Sequence, residues 1–351
     1  MSGPVLGWDV GGANVKVAWV SGVGAAEPRV LEVPFALWRD PQRLPQVLSQ
    51  AAHSLGLAPS MAVTMTAELA DCFATKREGV AFVLDAFRTA FPEVDPQIYG
   101  VDGEFRSVQA AKQAPDQVAA ANWRASAALV ARTFPNALFV DVGSTTTDLI
   151  PILSGRVAAL GHTDTARLRH GELVYTGVLR TPVSAIVRSV PVGAARCRVA
   201  AEHFAISADV YRWLERIGDD EYSCEPPDGR GRSRIEAGAR LARMVCADFE
   251  TIGADGVTAI AEEVARRQTR QIVCGLRQVM RRLGSDVPAV AALAGQGTFL
   301  ARQAAEACGF EPRDLAGELG AAASRAAPAA AVAYLLAERT GSGSQFFGRR
   351  S

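Results

Sequence analysis

Lysine is nearly absent from this chain. Lys16, Lys76 and Lys112 stand against a large excess of arginine, and the 37 basic residues cancel 37 acidic ones. Without net charge there is no global field to draw in nucleic acid or an anionic membrane, so neither is expected as a partner. A bias toward GC-rich codons accounts for the arginine and alanine better than RNA binding does. No C-x-x-C pair occurs among Cys72, Cys197, Cys224, Cys246, Cys274 and Cys308. That argues against a zinc cluster or redox motif, and predicts buried or incidental reduced thiols in a cytoplasmic protein. Long apolar runs are missing too: the longest, Ala326 to Ala337, contains Pro328 and is too short for a bilayer span. Gly11, Gly12, Asn14 and Lys16 interrupt the first apolar stretch, so no secretory signal is expected. What remains is an ordinary globular composition, 49% hydrophobic and 21% charged, in 351 residues, enough for roughly two domains.

Two segments resemble each other: Gly7-Trp-Asp-Val-Gly-Gly-Ala-Asn-Val-Lys16 and Phe139-Val-Asp-Val-Gly-Ser-Thr-Thr-Thr-Asp148. Each is an apolar run ending in Asp-Val-Gly, then small or hydroxylated residues, then renewed strand character. The pattern predicts a strand, a tight turn and a second strand. Glycine lets the turn backbone approach a ligand, and exposed N–H groups there cradle phosphate. A strand-end Asp holds a divalent cation directly or through water. The copies start at Asp9 and Asp141, 132 residues apart, about one domain length. The spacing predicts a duplicated fold closing on a phosphate-bearing ligand.

Periodicity fills in the rest. Val30 to Phe35, Met61 to Met65 and Gln97 to Val101 read as strands. Pro41 to Leu57, Arg77 to Phe91 and Pro115 to Arg132 read as helices. The second half repeats the scheme with strands Ala137 to Val142, Thr147 to Leu153 and Arg156 to Ala159, and a further strand at Arg196 to Ala200. Helices are expected at Ala208 to Arg216, Ser233 to Ala254, Ala259 to Leu283 and Phe299 to Cys308. An apolar strand, Val287 to Leu293, ends in Ala294-Gly-Gln-Gly297. The expected fold class is α/β, with a first domain over 1–135, a second over 136–319 and a cleft between them. Segment 320–339, helical from Ala327 to Glu338, is expected to pack back on the first domain. The tail 340–351, rich in Gly, Ser and Arg, is expected to be disordered.

This arrangement resembles the sugar kinase, heat-shock protein 70 and actin superfamily, whose two ribonuclease-H-like (actin-like ATPase) domains each supply one phosphate hairpin. In closer detail it resembles the hydantoinase/oxoprolinase branch, and within it enzymes linked to tetrahydromethanopterin-dependent one-carbon metabolism. The carrying residues are the two hairpins together with Thr64-Met-Thr-Ala-Glu-Leu-Ala-Asp71, His170-Gly-Glu-Leu-Val-Tyr-Thr-Gly177, Arg180-Thr-Pro182 and Ala201-Glu-His-Phe-Ala205. Almost the whole chain apart from its tail takes part. The resemblance implies a transferase of methanofuran biosynthesis. It would join an aminomethylfuran-methyl diphosphate to the phenol of γ-glutamyltyramine and release pyrophosphate. It also places Gly295 and Gly297 in the superfamily's nucleoside-contacting turn.

That chemistry needs charge stabilisation on the leaving group, for which Mg²⁺ is suited. Asp9, Asp141 and Asp148 are the candidate ligands. Backbone N–H groups of Gly11, Gly12, Gly143 and Ser144, the hydroxyls of Thr145 and Thr146, and Asn14, Gly295 and Gly297 are the candidate phosphate contacts. Lys16 adds a point charge if it faces the site. Glu68, His170 and Glu172 are candidate bases for the phenol proton, although Glu68 also suits a helix cap after Thr66. His162 and His203 read as structural, and Arg266, Arg267 and Arg270 as a solvated helix face. ATP is admitted as a ligand but not required, and a homodimer is admitted. The competing readings are an ATP-dependent kinase, with Asp71 or Asp164 as its catalytic Asp, a hydantoinase/oxoprolinase-type hydrolase, and a nucleotide-dependent switch or scaffold. Fold alone does not decide among them.

Overall fold

The computed structural model describes residues 3–21, 27–320 and 327–341. Its first sheet is built from β1 (Val5–Val10), β2 (Asn14–Val20), β3 (Arg29–Pro34), β4 (Ser60–Met65), β5 (Gln97–Tyr99) and β6 (Phe105–Arg106), in the order β3-β2-β1-β4-β5-β6. β1 pairs antiparallel with β2 and parallel with β4. Strand alternation sorts β1 into two faces. Leu6, Trp8 and Val10 join Val15, Val17, Met61, Val63 and Met65 in a core covered by helices Leu44–Leu55 and Lys76–Ala90. Trp8 meets Phe87 edge-on at 5.5 Å. The opposite face carries Gly7 and Asp9. Helix Ala327–Thr340, mostly alanine on its buried side, packs there. A Cβ at position 7 would lie 2.8 Å from the Cβ of Ala333, so glycine is what admits this helix. Arg132, on helix Asn122–Thr133, pairs with Glu338 at 3.3 Å.

The second sheet contains β7 (Ala137–Val142), β8 (Thr147–Leu153), β9 (Arg156–Val157), β10 (Leu173–Val174), β13 (Val290–Ala294) and β14 (Glu311–Asp314), in the order β10-β8-β7-β13-β14 with β9 paired to β8. A two-stranded sheet joins β11 (Ser189–Val192) to β12 (Ala195–Arg198). Contacts divide the chain into two compact units. One holds residues 1–139, 150–169 and 313–351, the other 140–149 and 170–312.

The second unit is organised by helix Phe249–Leu283. Gly253, at φ +70°, breaks its regularity near the start. Gly275 lets the helix close on Leu149 and Val174. Inside the unit, Asp209 accepts hydrogen bonds from the Arg240 guanidinium and the Tyr222 hydroxyl, each at 2.8 Å, with Arg240 wholly buried.

Several expected elements are shorter or broken. Pro115 to Arg132 is a 3₁₀ turn, Pro115–Gln117, followed by helix Asn122–Thr133, because Ala120 takes φ +49° between them. The helix expected from Ser233 to Ala254 ends at Arg243, and Cys246 at φ +57° turns the chain before Asp248 caps the next helix. No helix begins at Thr66. The arginines expected on a solvated face are partly organised. Burial pushes the Glu263 carboxyl up, but hydrogen bonds from Arg266, Arg267 and Arg196 win and hold its pKa at about 2. All six cysteines are free, and Cys246 and Cys274 are exposed, not buried. No helix among the described residues is long and apolar enough to cross a membrane. The expected tail lies, from residue 342 on, outside the described residues.

Candidate active site

In the first unit, cross-strand register places Thr64, Asp9, Lys16 and Glu32 in one row over β4, β1, β2 and β3. Lys16 therefore shares the face of Asp9, and its Nζ lies 3.9 Å from a Glu32 oxygen. The turn closes through a 2.9 Å hydrogen bond from Gly11 N–H to the Asn14 carbonyl. That donor is spent on the hairpin, which corrects its expected role as a phosphate contact. Hydrogen bonds among the described residues leave the N–H groups of Gly12 and Ala13 unused.

Asp9 is buried, and one of its oxygens, Oδ1, has no hydrogen-bond partner. Burial raises its pKa to about 6, against the pull of Lys16. Glu68 follows β4 and is held to β1 by the Thr66 and Ala67 N–H groups, which both donate to the Val10 carbonyl. Gly79 of helix Lys76–Ala90 sits directly on it: a Cβ there would stand 2.6 Å from the Glu68 Cα. The Glu68 side chain is 2% exposed with Oε2 unpartnered, and burial pushes its pKa up to about 7; Lys76 lowers it, Asp164 and Asp9 raise it. Thr64 Oγ1 is a third buried oxygen without a partner. Unsatisfied buried polar atoms are rare and call for a ligand, ion or water.

In the second unit the turn between β7 and β8 repeats the geometry, with Gly143 N–H donating to the Thr146 carbonyl at 2.9 Å. Among the described residues no hydrogen bond uses the Ser144 or Thr145 N–H groups, and their hydroxyls stand 3.4 Å apart. Asp141 is half-buried at the end of β7, and Asp148, also half-buried, pairs in register with Leu173. Gly295, at φ +88°, abuts the Asp141 carboxylate, and Gly297 donates its N–H to the Val142 carbonyl at 2.8 Å. Those glycines are required by close packing on β7.

Segment 170–177 supports the same turn. His170 ends helix Asp164–His170. Glu172 is fully buried and ion-paired with Arg282. Gly177 backs the turn, since a Cβ there would lie 2.5 Å from the Ser144 carbonyl carbon and the Thr145 nitrogen. Gln268, fully buried on helix Phe249–Leu283, donates to Thr176 Oγ1 at 2.9 Å and to the Gly177 carbonyl at 2.7 Å. Sequence reading missed Gln268, one polar residue in a long amphipathic helix, and Thr64, one hydroxyl in a buried strand.

Mg²⁺ prefers one or two carboxylates plus water and substrate phosphates over an all-protein cage. The orphaned Asp9 oxygen beside a turn with free N–H groups fits that preference. Among the described residues no three His, Cys, Asp or Glu side chains gather into a metal-binding cluster.

Two sheets, each carrying an Asp-Val-Gly hairpin with the same closing hydrogen bond, define a protein of the actin-like ATPase fold class. The nucleotide-free structure of acetone carboxylase shares this fold at a TM-score of 0.58 and 12% identity, over 93% of this chain and 70% of that one. The hydantoinase/oxoprolinase family profile matches residues 60–339. The chain belongs to this family. It is 36% identical over 261 residues to the (4-{4-[2-(γ-L-glutamylamino)ethyl]phenoxymethyl}furan-2-yl)methanamine synthase of Methanocaldococcus jannaschii, covering 74% of this chain and 77% of that protein. The synthase of the same name from Methanococcus vannielii is 36% identical over 149 residues, 42% of this chain and 67% of that protein.

Proposed function

We propose that this chain is a transferase of methanofuran biosynthesis that joins an aminomethylfuran-methyl diphosphate to the phenol oxygen of γ-glutamyltyramine. The name of the Methanocaldococcus jannaschii relative describes a product with such a phenoxymethyl–furan ether. The observation that carries the reading is the pair of buried carboxylates, Asp9 and Glu68, each with an oxygen left unpartnered beside the first glycine turn.

In this reading the free N–H groups of Gly12 and Ala13 in the first unit bind diphosphate oxygens, with Lys16 adding positive charge, and those of Ser144 and Thr145 are the second unit's own candidates for a phosphate. Asp9 would hold Mg²⁺, with Asp141 and Asp148 as further candidates. When bound, the ion stabilises negative charge on departing pyrophosphate. The furfuryl C–O bond to the diphosphate breaks, the electron-rich furan spreads the positive charge, and the phenol oxygen forms the ether bond. The phenol proton passes to Glu68, whose pKa of about 7 suits a base working near neutrality. Glu172 is the weaker base because Arg282 already neutralises it, and His170 is assigned no step. Pyrophosphate is the second product, so ATP is not consumed.

Mass spectrometry of a reaction containing the furan-methyl diphosphate, γ-glutamyltyramine and Mg²⁺ tests this directly. The ether product and one equivalent of pyrophosphate are expected without ATP. Product that forms only with ATP would overturn the reading.

A further inference from the structure

The second unit contains a cavity of about 530 Å³ lined in part by Tyr211, Leu214, Arg216, Glu262, Thr269 and Phe299. Its volume suits a small organic ligand, for which pockets of about 300–1,000 Å³ are usual. The lining is graded. Tyr211 is 1% exposed and meets Phe299 edge-on with centroids 5.0 Å apart, and both line the pocket with Leu214. Arg216 and Glu262 are exposed, and neither is in an ion pair among the described residues. Aromatic walls take a planar ring edge-on or offset, and an unpaired guanidinium and carboxylate take a carboxylate and an ammonium.

The buried wall is tied to the second glycine turn. Tyr211 donates its hydroxyl hydrogen to Gln268 Oε1 at 2.7 Å, and Gln268 Nε2 donates to the carbonyl of Gly177, the residue that backs the Ser144–Thr145 peptide. One buried side chain thus connects the aromatic wall of the cavity to the turn.

We propose that this cavity binds the acceptor substrate as a phenol carrying an amino-acid head. Its ring lies against Tyr211 and Phe299, its carboxylate on Arg216 and its ammonium on Glu262. The inference rests on the transferase reading, whose acceptor, γ-glutamyltyramine, has a phenol at one end and a zwitterion at the other.

Initial rates of pyrophosphate release, at fixed donor diphosphate, are compared for γ-glutamyltyramine and for tyramine, which lacks the amino-acid head. Arg216→Ala is expected to raise the KM for γ-glutamyltyramine about tenfold, the loss of one charged hydrogen bond. The KM for tyramine and for the donor should not move. Phe299→Ala should raise the KM for both acceptors. Wild-type turnover with acceptor KM values unaltered in both variants would overturn the cavity assignment and leave the transferase reading standing. Absence of wild-type turnover would overturn the transferase reading. Calorimetric titration of γ-glutamyltyramine into the full chain then judges the cavity alone: binding weakened by Arg216→Ala upholds it, and no binding overturns it. Loss of ADP binding in Phe299→Ala, with γ-glutamyltyramine binding intact, would assign the cavity to a nucleoside and overturn the proposal.

Discussion

Glu68 and Asp9 are carboxyls that the fold holds in the wrong solvent. Burial raises them to about 7 and about 6 from ordinary values of 4.5 and 3.8. The folded chain therefore binds more protons than the unfolded one. Stability from these groups is fully present below about pH 4 and is lost as pH rises through 6 to 7. Ionised at pH 8, Glu68 costs about 3 kcal/mol. Glu68→Gln should accordingly raise the melting temperature at pH 8, with the gain vanishing as pH falls toward 4. The same variant should lower kcat at least a hundredfold, the usual worth of a general base. Scanning calorimetry and rate measurements on one preparation check both, and a stability gain without a rate loss would remove Glu68 from the chemistry. Asp9 was legible as a candidate site residue because a strand-end Asp ahead of Gly11-Gly12 has little packing purpose. Its orphaned oxygen was not legible, since hydrogen-bond satisfaction is a property of the assembled sheet. Glu172 shows the reverse. Its motif drew attention, but its partner Arg282 lies 110 residues away and only the fold brings it in.

At the level of elements, glycines set how closely helices and turns approach. Gly7→Ala would drive a methyl into the Ala329 carbonyl oxygen and into Ala333, and should cost at least about 1–3 kcal/mol, the range for overpacking, read as a lower denaturant midpoint. Gly177→Ala presses on the Ser144–Thr145 peptide instead. It should weaken pyrophosphate binding about tenfold, one charge-assisted hydrogen bond's worth, in a calorimetric titration. Pyrophosphate affinity unchanged in Gly177→Ala would dissociate that turn from the ligand. The hairpins themselves could be read from sequence, since apolar runs flank an Asp-Val-Gly turn twice. The broken helices could not. Ala120 and Cys246 take left-handed conformations without being glycine, so nothing in their identity announces a stop. Asp248 was the available signal: its carboxylate accepts the Thr251 N–H at 2.7 Å and starts the next helix.

For the molecule as a whole, the 132-residue offset of the two motifs made the duplication visible, whereas the course of the chain did not follow from it. Residues 150–169 group with the first compact unit although they begin within β8 of the second hairpin, and the chain returns to that unit after 312. Such long-range returns depend on contacts that no local pattern records. With no net charge, the chain offers no long-range attraction to a diphosphate, so the transferase reading rests on local donors and an added ion. This leads to a ligand-linked prediction. A ligand at a hundred times its Kd stabilises the folded state by about 2.7 kcal/mol. Mg²⁺ with pyrophosphate should then raise the melting temperature by several degrees at pH 7.5. Mg²⁺ with ATP should raise it less, because the transferase reading needs a diphosphate and no nucleoside. Asp9→Asn should abolish the Mg²⁺-dependent part of the shift while keeping the smaller metal-free effect of pyrophosphate on the turns. Equal stabilisation by ATP and pyrophosphate in the wild type would move the weight to an ATP-dependent enzyme on the same fold.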